Sequence, residues 1–120
     1  MIQIIFNEIS AAELSQLSIE MQLEVLTEFK ISPEDLQEQD GERFGRIARE
    51  GKTLYRYRSS ELRIYFELTG ETVIVHRVLN RNTLQDFLYR SNLDAGEDQA
   101  LAKSKIFWEL IEEGEKARKV

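Results

Sequence analysis

The chain has 120 residues, a net charge of −6 and a hydrophobic fraction of 42%. This length predicts a single domain, and the composition is too apolar for an intrinsically disordered chain. The absence of cysteine excludes a disulfide scaffold, a thiol nucleophile and a thiolate zinc site. Because no apolar run has the roughly 18 residues of a membrane helix, and residues 1–6 lack a signal-peptide pattern, we expect a cytoplasmic protein.

The charge is segregated along the chain. Residues 1–42 contain ten acids and one lysine, for a net charge of −9. Residues 43–90 contain ten basic and five acidic residues, for a net charge of +5, and nine of the ten bases are arginine. Because the planar guanidinium binds phosphates and carboxylates through two parallel hydrogen bonds, this central block is the part of the chain best suited to an anionic ligand.

The first third of the chain predicts a strand followed by helices. Residues 1–6 are apolar and rich in β-branched side chains, which predicts the strand. A capping-box pattern at Ser10 leads into two apolar rows: Leu14, Leu17, Met21, Val25 and Phe29, and then Ile19, Leu23 and Leu26. The rows predict a helix, or a helical hairpin broken near Ser18, that is buried over a wide face. A second, short helix is expected to begin at Ser32-Pro33 and to end at the turn Asp40-Gly41.

The middle of the chain predicts three strands separated by turn residues. They cover residues 54–58, 63–68 and 72–79. We expect them to form a three-stranded antiparallel meander. Period-two geometry places Tyr55 and Tyr57 on one face of the sheet. Arg56 and Arg58 then lie on the other face, which stays open if the helices cover the tyrosines.

The last third predicts further helices. One is expected after Asn82, residues 92–96 have the composition of a linker, and an apolar-rich helix is expected from Glu97. The predicted architecture is therefore α+β: an N-terminal strand, a helical hairpin, the meander and an extra C-terminal helix. We divide it into a domain over residues 1–92 and a C-terminal helical extension over residues 93–120.

The central hairpin carries a resemblance to a known family. Residues 55–65, which read YRYRSSELRIY, resemble the central hairpin of the RelE/ParE superfamily of bacterial toxins. The strand over residues 73–79, which runs into Asn80-Arg81, is similar to the closing strand of that family and its basic end. The order of strand, helices and meander also matches. The resemblance covers roughly residues 1–90 and implies a RelE-like fold.

RelE-like proteins cleave messenger RNA in the ribosomal A site without a metal. The resemblance implies the same reaction for this chain. The 2′-hydroxyl attacks the adjacent phosphate, so the enzyme needs cations and proton-transfer groups. By position in the family pattern, Arg56, Arg63 and Arg81 would be the catalytic cations that bind the phosphate and stabilise its charge in the transition state.

Two positions depart from the pattern of the active nucleases. Leu54 stands where these enzymes carry a basic residue, and Phe87 stands where they carry a tyrosine. Tyr89 or His76 would then be the proton donor or acceptor, although His76 lies among valines and can equally have a structural role. The residues that would bind phosphate are therefore present, whereas the residues that would transfer a proton are less clearly so.

Three functions fit these observations. The first is a small regulatory protein of RNA metabolism or translation, such as a translational repressor, that binds RNA, the ribosome or an acidic protein surface without efficient nuclease activity. The alternative is the active toxin of a type II toxin–antitoxin system, a ribosome-dependent messenger RNA endoribonuclease. A ParE-like gyrase poison is a third possibility.

Further residues are candidates for partner binding. On the arginine face they are Arg58 and Arg77, and on the C-terminal helix they are Phe107, Trp108 and Ile111. These five would contact an antitoxin-like or RNA-processing partner. Alternatively, the C-terminal helix occupies the groove on the sheet as self-inhibition, or it extends the core.

A simpler interpretation remains for the arginines of the meander, which can pair across strands with Glu61 and Glu67.

The sequence shows no pattern typical of a cofactor site. A single histidine, no cysteine and dispersed acids predict no metal site, and the scattered glycines form no phosphate loop. We therefore expect no cofactor.

Overall fold

The computed structural model describes residues 3–31, 43–49, 51–59, 62–80 and 97–120. In chain order the elements are β1 (Gln3–Phe6), α1 (Glu8–Ser15), α2 (Ile19–Glu28), β2 (Phe44–Arg49), β3 (Lys52–Ser59), β4 (Leu62–Thr69), β5 (Thr72–Asn80), α3 (Glu97–Ala102) and α4 (Lys105–Lys116). The short helix predicted after Pro33 and the core helix predicted after Asn82 lie outside the described residues. Among the described helices, none is long and apolar enough to cross a membrane.

The protein is α+β, but its sheet has five strands in the order β1-β5-β4-β3-β2. β2 to β5 are antiparallel neighbours, and β1 pairs with β5 in parallel. The predicted three-stranded meander is therefore wrong, because β2 adds a fourth antiparallel strand. Phe44 and Ile47 on β2 are both buried but lie in the clusters on opposite faces of the sheet. This two-sided burial removes the period-two pattern that identifies a strand.

The turn between β2 and β3 has a glycine in the left-handed region. Gly51 has a φ of 80°, which a residue with a side chain adopts only with strain. The adjacent pair Arg49 and Lys52 closes the hairpin. This tight connection brings the edge strand β2 directly beside β3.

α1 and α2 cover one face of the sheet. The predicted hairpin is present, and Ser18 is the N-cap of α2. Val25 and Phe29 are buried against the strands, whereas the other predicted row is exposed: Ile19 by 75%, Leu23 by 59% and Leu26 by 63%. The predicted wide buried face is therefore wrong, because α2 contacts the sheet through one row only.

α3 and α4 cover the opposite face. The buried residues of this second cluster are Ile47, Leu54, Tyr65, Leu79, Leu101, Phe107, Trp108 and Ile111. The ring of Phe107 meets that of Tyr65 edge-on, with the centroids 4.9 Å apart. The C-terminal segment thus packs on the sheet, as two of the three predicted alternatives for this helix require, namely occupation of the groove and extension of the core.

Asn7 joins three elements. It caps α1, where Ser10 N donates to Asn7 Oδ1 at 2.7 Å, so the helix begins before the predicted Ser10. The Asn7 amide donates to His76 O on β5 at 3.1 Å and to Gly114 O on α4 at 2.7 Å. All three groups are buried, so this one side chain satisfies backbone carbonyls from both a strand and a helix.

Gly114 allows α4 to approach β5 closely. A Cβ atom at this position would lie 2.5 Å from His76 O, which is well inside contact distance. The C-terminal residues continue past this contact and pair with the end of β1, where Val120 N donates to Phe6 O at 2.9 Å. The C-terminal segment is therefore held at both the centre and the edge of the sheet.

α1 covers the part of β5 that extends beyond β1. Ser10 Oγ donates to Val75 O at 3.0 Å, and Val78 N donates to Glu13 Oε1 at 2.9 Å. These side chains take the place of a neighbouring strand, because β1 pairs with β5 only as far as Val75. The edge of β5 is thus protected from pairing with another chain.

The Gly114→Ala variant is expected to be less stable than the wild type by about 1–3 kcal/mol, since the added methyl group forces α4 away from His76. The expected loss is opposite to the usual effect of this substitution, because alanine is favoured over glycine inside a helix by about 1 kcal/mol. Urea unfolding gives the free energy. Glu112→Ala on the exposed side of α4 is the control and should change it little; an equally stable Gly114→Ala variant would contradict the close approach of α4 to β5.

The Asn7→Ala variant is expected to lose about 2–4 kcal/mol of unfolding free energy. It removes an N-cap, worth about 1 kcal/mol, and leaves two buried carbonyls without their donor. Ser18→Ala removes only the exposed N-cap of α2 and serves as the matched control. If Asn7→Ala loses no more unfolding free energy than Ser18→Ala, then the hydrogen bonds from the Asn7 amide to β5 and α4 do not contribute to stability.

Candidate functional site

The arginines that the hairpin sequence singles out lie close together. Arg58 on β3 is the direct cross-strand partner of Arg63 on β4, and Arg56 stands opposite Tyr65. Arg58 N also donates to Arg43 O at 2.9 Å, so Arg43 precedes β2 at the same level of the sheet. We call Arg43, Arg58 and Arg63 the arginine row. It crosses three neighbouring chain segments at one end of the sheet.

The expected separation of tyrosines and arginines is confirmed. Tyr55 and Tyr57 belong to the cluster under α1 and α2, whereas Leu54, which alternates with Arg56 along β3, belongs to the cluster under α4. The expectation that the arginine face stays open is wrong, because α3 and α4 cover it. Arg56 is 0% exposed and Arg63 is 4% exposed.

Exposure within the arginine row increases toward the edge of the sheet. Arg63 is buried, Arg58 is partly exposed and Arg43 is exposed. The guanidinium of Arg43 lies over the rings of Phe44 and Tyr57, at 5.6 and 5.8 Å from their centroids. Arg43 Nη2 also donates to Glu28 O at the end of α2, at 3.4 Å, so the Arg43 guanidinium lies on the α2 side of the sheet, opposite the face of Arg58 and Arg63.

Arg77 has a structural role. Its guanidinium binds the carboxylate of Glu13 on α1, with Nη2 2.7 Å from Oε2, and lies 3.5 Å from the Glu113 carboxylate on α4. Arg77 also donates to Leu110 O at 3.2 Å. These contacts link α1, β5 and α4, so this arginine is engaged within the chain rather than directed at a ligand.

The apolar candidates of the C-terminal helix are internal. Phe107 and Ile111 are fully buried, and Trp108 is nearly so. The Trp108 indole donates to Ala102 O at 2.9 Å, which satisfies its one polar group inside the protein. In this arrangement the three side chains pack on the sheet instead of forming an exposed surface for a partner.

His76 lies at an irregularity of β5. Tyr65 pairs with Arg77 and the next residue, Phe66, pairs with Val75, so His76 is the extra residue of a bulge. Its Nε2 is 3.1 Å from Glu67 Oε2. The imidazole is buried, and in the described part of the chain its Nδ1 has no hydrogen-bond partner.

Glu67, His76 and Glu115 form a cluster that sequence analysis missed, and we call it the Glu–His–Glu cluster. Each residue offers one atom that can bind a metal, and these atoms lie within 4.8 Å of one another. The side chain of Glu115 also forms an ion pair with Lys52. No spacing in the sequence reveals the cluster, because a bulge places His76 beside Glu67 on the neighbouring strand and Glu115 comes from the C-terminal helix.

Two predicted catalytic residues lie outside the described residues, namely Arg81 and Tyr89. Leu54, which stands where RelE/ParE nucleases carry a basic residue, is buried in the cluster under α3 and α4. Of the predicted nuclease residues that the structure describes, Arg56, Arg63 and His76 are all buried.

Comparison of this chain with family models, with curated proteins and with solved structures found no match. The resemblance to RelE/ParE proteins therefore stays a prediction based on the residues of the central hairpin.

A basic residue at position 54, where RelE/ParE nucleases carry one, should unfold the protein rather than create a nuclease. We expect Leu54→Lys to lose more than about 3 kcal/mol of unfolding free energy, because the ammonium would be buried beneath α4 without a partner. Thr53→Lys, at the exposed neighbouring position, is the matched control. Chemical denaturation of both variants measures the difference, and equal stability would show that α4 does not cover this position.

Proposed function

We propose that this chain is a RelE/ParE-like regulatory protein of RNA metabolism or translation. In this proposal it binds RNA phosphates through the arginine row and has no efficient nuclease activity. The observation that carries the proposal is the direct cross-strand pairing of Arg58 with Arg63, together with Arg43 at the same level of the sheet.

The arginine row favours an anionic ligand on electrostatic grounds. Like charges directly opposite one another in neighbouring strands are destabilising, and a bound anion would reduce that repulsion. A phosphate accepts two parallel hydrogen bonds from a guanidinium, and an RNA backbone that crosses this edge of the sheet can contact Arg58 on one face and Arg43 on the other. Arg43 and Arg58 supply the solvent-accessible part of this surface.

Burial argues against efficient cleavage. A general acid or base must come within about 2.6–3.2 Å of the proton that it transfers. His76 is 3% exposed and contacts Glu67, and Arg56 is fully buried. In the described part of the chain, therefore, both His76 and Arg56 are too buried to reach a phosphate that is bound at the surface.

RNA binding is expected to depend on the exposed half of the arginine row. A fluorescently labelled single-stranded RNA should bind the full chain, and Arg43→Ala with Arg58→Ala should weaken binding at least tenfold. The double variant should also lower the salt dependence of binding, by a slope of about 1 for each phosphate that the arginines no longer neutralise. Fluorescence anisotropy at several salt concentrations gives both quantities. Arg118→Ala, an exposed arginine next to α1, is the matched control.

Expression in a bacterial host without an antitoxin separates this proposal from an active toxin. We expect normal growth and unchanged messenger RNA ends. Growth arrest with cleavage in the ribosomal A site, abolished by Arg63→Ala, would overturn the non-enzymatic function. Failure to bind RNA, together with capture of an acidic protein that requires Arg43 and Arg58, would instead assign the row to a protein partner.

A further inference from the structure

The Glu–His–Glu cluster lies on the arginine-bearing face but at the other end of the sheet. Glu67 is four residues beyond Arg63 along β4, and its cross-strand partner is Ile74 on β5. A cavity of about 460 Å³ opens onto the cluster and is lined also by Lys52 and Lys119. The proposed RNA-binding function uses none of these groups.

The fold itself brings the three side chains together. The bulge inserts His76 between Val75 and Arg77, so its imidazole reaches the face on which Glu67 stands. Gly114 lets α4 contact the backbone of His76, and the next residue along that helix is Glu115. Both placements depend on special backbone features, so the backbone positions His76 and Glu115, whereas the partly exposed side chain of Glu67 can adjust.

The buried imidazole is the second observation that points to a ligand. His76 is 3% exposed, and in the described part of the chain its Nδ1 has no hydrogen-bond partner. A buried polar nitrogen without a partner is costly. A cation bound at Nε2, the nitrogen that faces Glu67, would place the proton on Nδ1 and compensate Nε2 for the hydration that burial removes.

The donor set selects the kind of cation. One imidazole nitrogen and two carboxylates form a mixed nitrogen and oxygen set, which suits zinc and other first-row divalent metals. The two carboxylate charges balance a divalent ion, and three protein ligands leave positions for water. We propose that Glu67, His76 and Glu115 bind one divalent first-row cation, of which Zn²⁺ is the representative.

The distances require only small adjustments. Ligands bound to zinc at about 2.0–2.1 Å lie roughly 3–3.5 Å from one another. Glu67 Oε2 and His76 Nε2 are already 3.1 Å apart, and the widest separation in the cluster is within 4.8 Å. The side chain of Glu67 is 43% exposed, so a rotamer change can close the remaining gap.

Lys52 forms an ion pair with one of the carboxylates of the Glu–His–Glu cluster. Its ammonium contacts Glu115, and its side chain is 43% exposed, so it can turn into solvent when a metal arrives. Lys52 therefore competes with the metal for the carboxylate. This competition predicts that removal of the lysine charge strengthens metal binding.

Isothermal titration of the metal-free full chain with Zn²⁺ tests the proposal. We expect one Zn²⁺ per chain, binding at least tenfold weaker in Glu67→Gln and several-fold tighter in Lys52→Met. Glu24→Gln on the exposed face of α2 is the matched control and should bind as the wild type does. Circular dichroism confirms that each variant is folded.

The single histidine provides a readout that is independent of the variants. Because the chain has one histidine, its imidazole gives one set of ring resonances in a nitrogen–proton correlation spectrum. Zn²⁺ should shift these resonances until one equivalent has been added. No saturable binding below about 1 mM, unshifted imidazole resonances, or equal affinity in Glu67→Gln and Glu24→Gln would each overturn the site.

Discussion

The buried amide of Asn7 is the group on which the rest of the structure depends. It caps α1 and donates to one carbonyl of β5 and one of α4, so it fixes the positions of both helices relative to the sheet. The bridge requires α4 to pass within contact distance of the His76 backbone, which only a glycine at position 114 allows. The covered arginine face and the proximity of Glu115 to His76 both follow from this arrangement.

The face of the sheet beneath α3 and α4 divides into three regions. Its centre contains the apolar residues Leu54, Tyr65 and Phe107 together with the fully buried Arg56. At one end lie Arg58 and Arg63, and at the other end lies the Glu–His–Glu cluster beside its cavity. The two helices thus cover the middle of the face and leave Arg58 at one end, and the carboxylates of the Glu–His–Glu cluster at the other end, partly exposed.

The local predictions that were confirmed depend on neighbouring residues. Alternation along β3 separated Tyr55 and Tyr57 from Arg56, and Ser18 marked the break between α1 and α2. The failed predictions depended on what covers each surface. β2 was not predicted because both of its faces are buried, and the apolar row of α2 that contains Leu23 is exposed because the sheet contacts only the other row.

The sequence was sufficient to predict the α+β class, the strands of the central hairpin, the segregation of charge and the candidate phosphate-binding arginines, because these depend on period, propensity and local charge. Tertiary structure decided whether those arginines are accessible, since Arg56 and Arg63 lie buried on the face that α3 and α4 cover. It also assembled Glu67, His76 and Glu115. Their proximity arises from a strand bulge and a glycine-mediated helix approach, and neither is visible as a spacing along the chain.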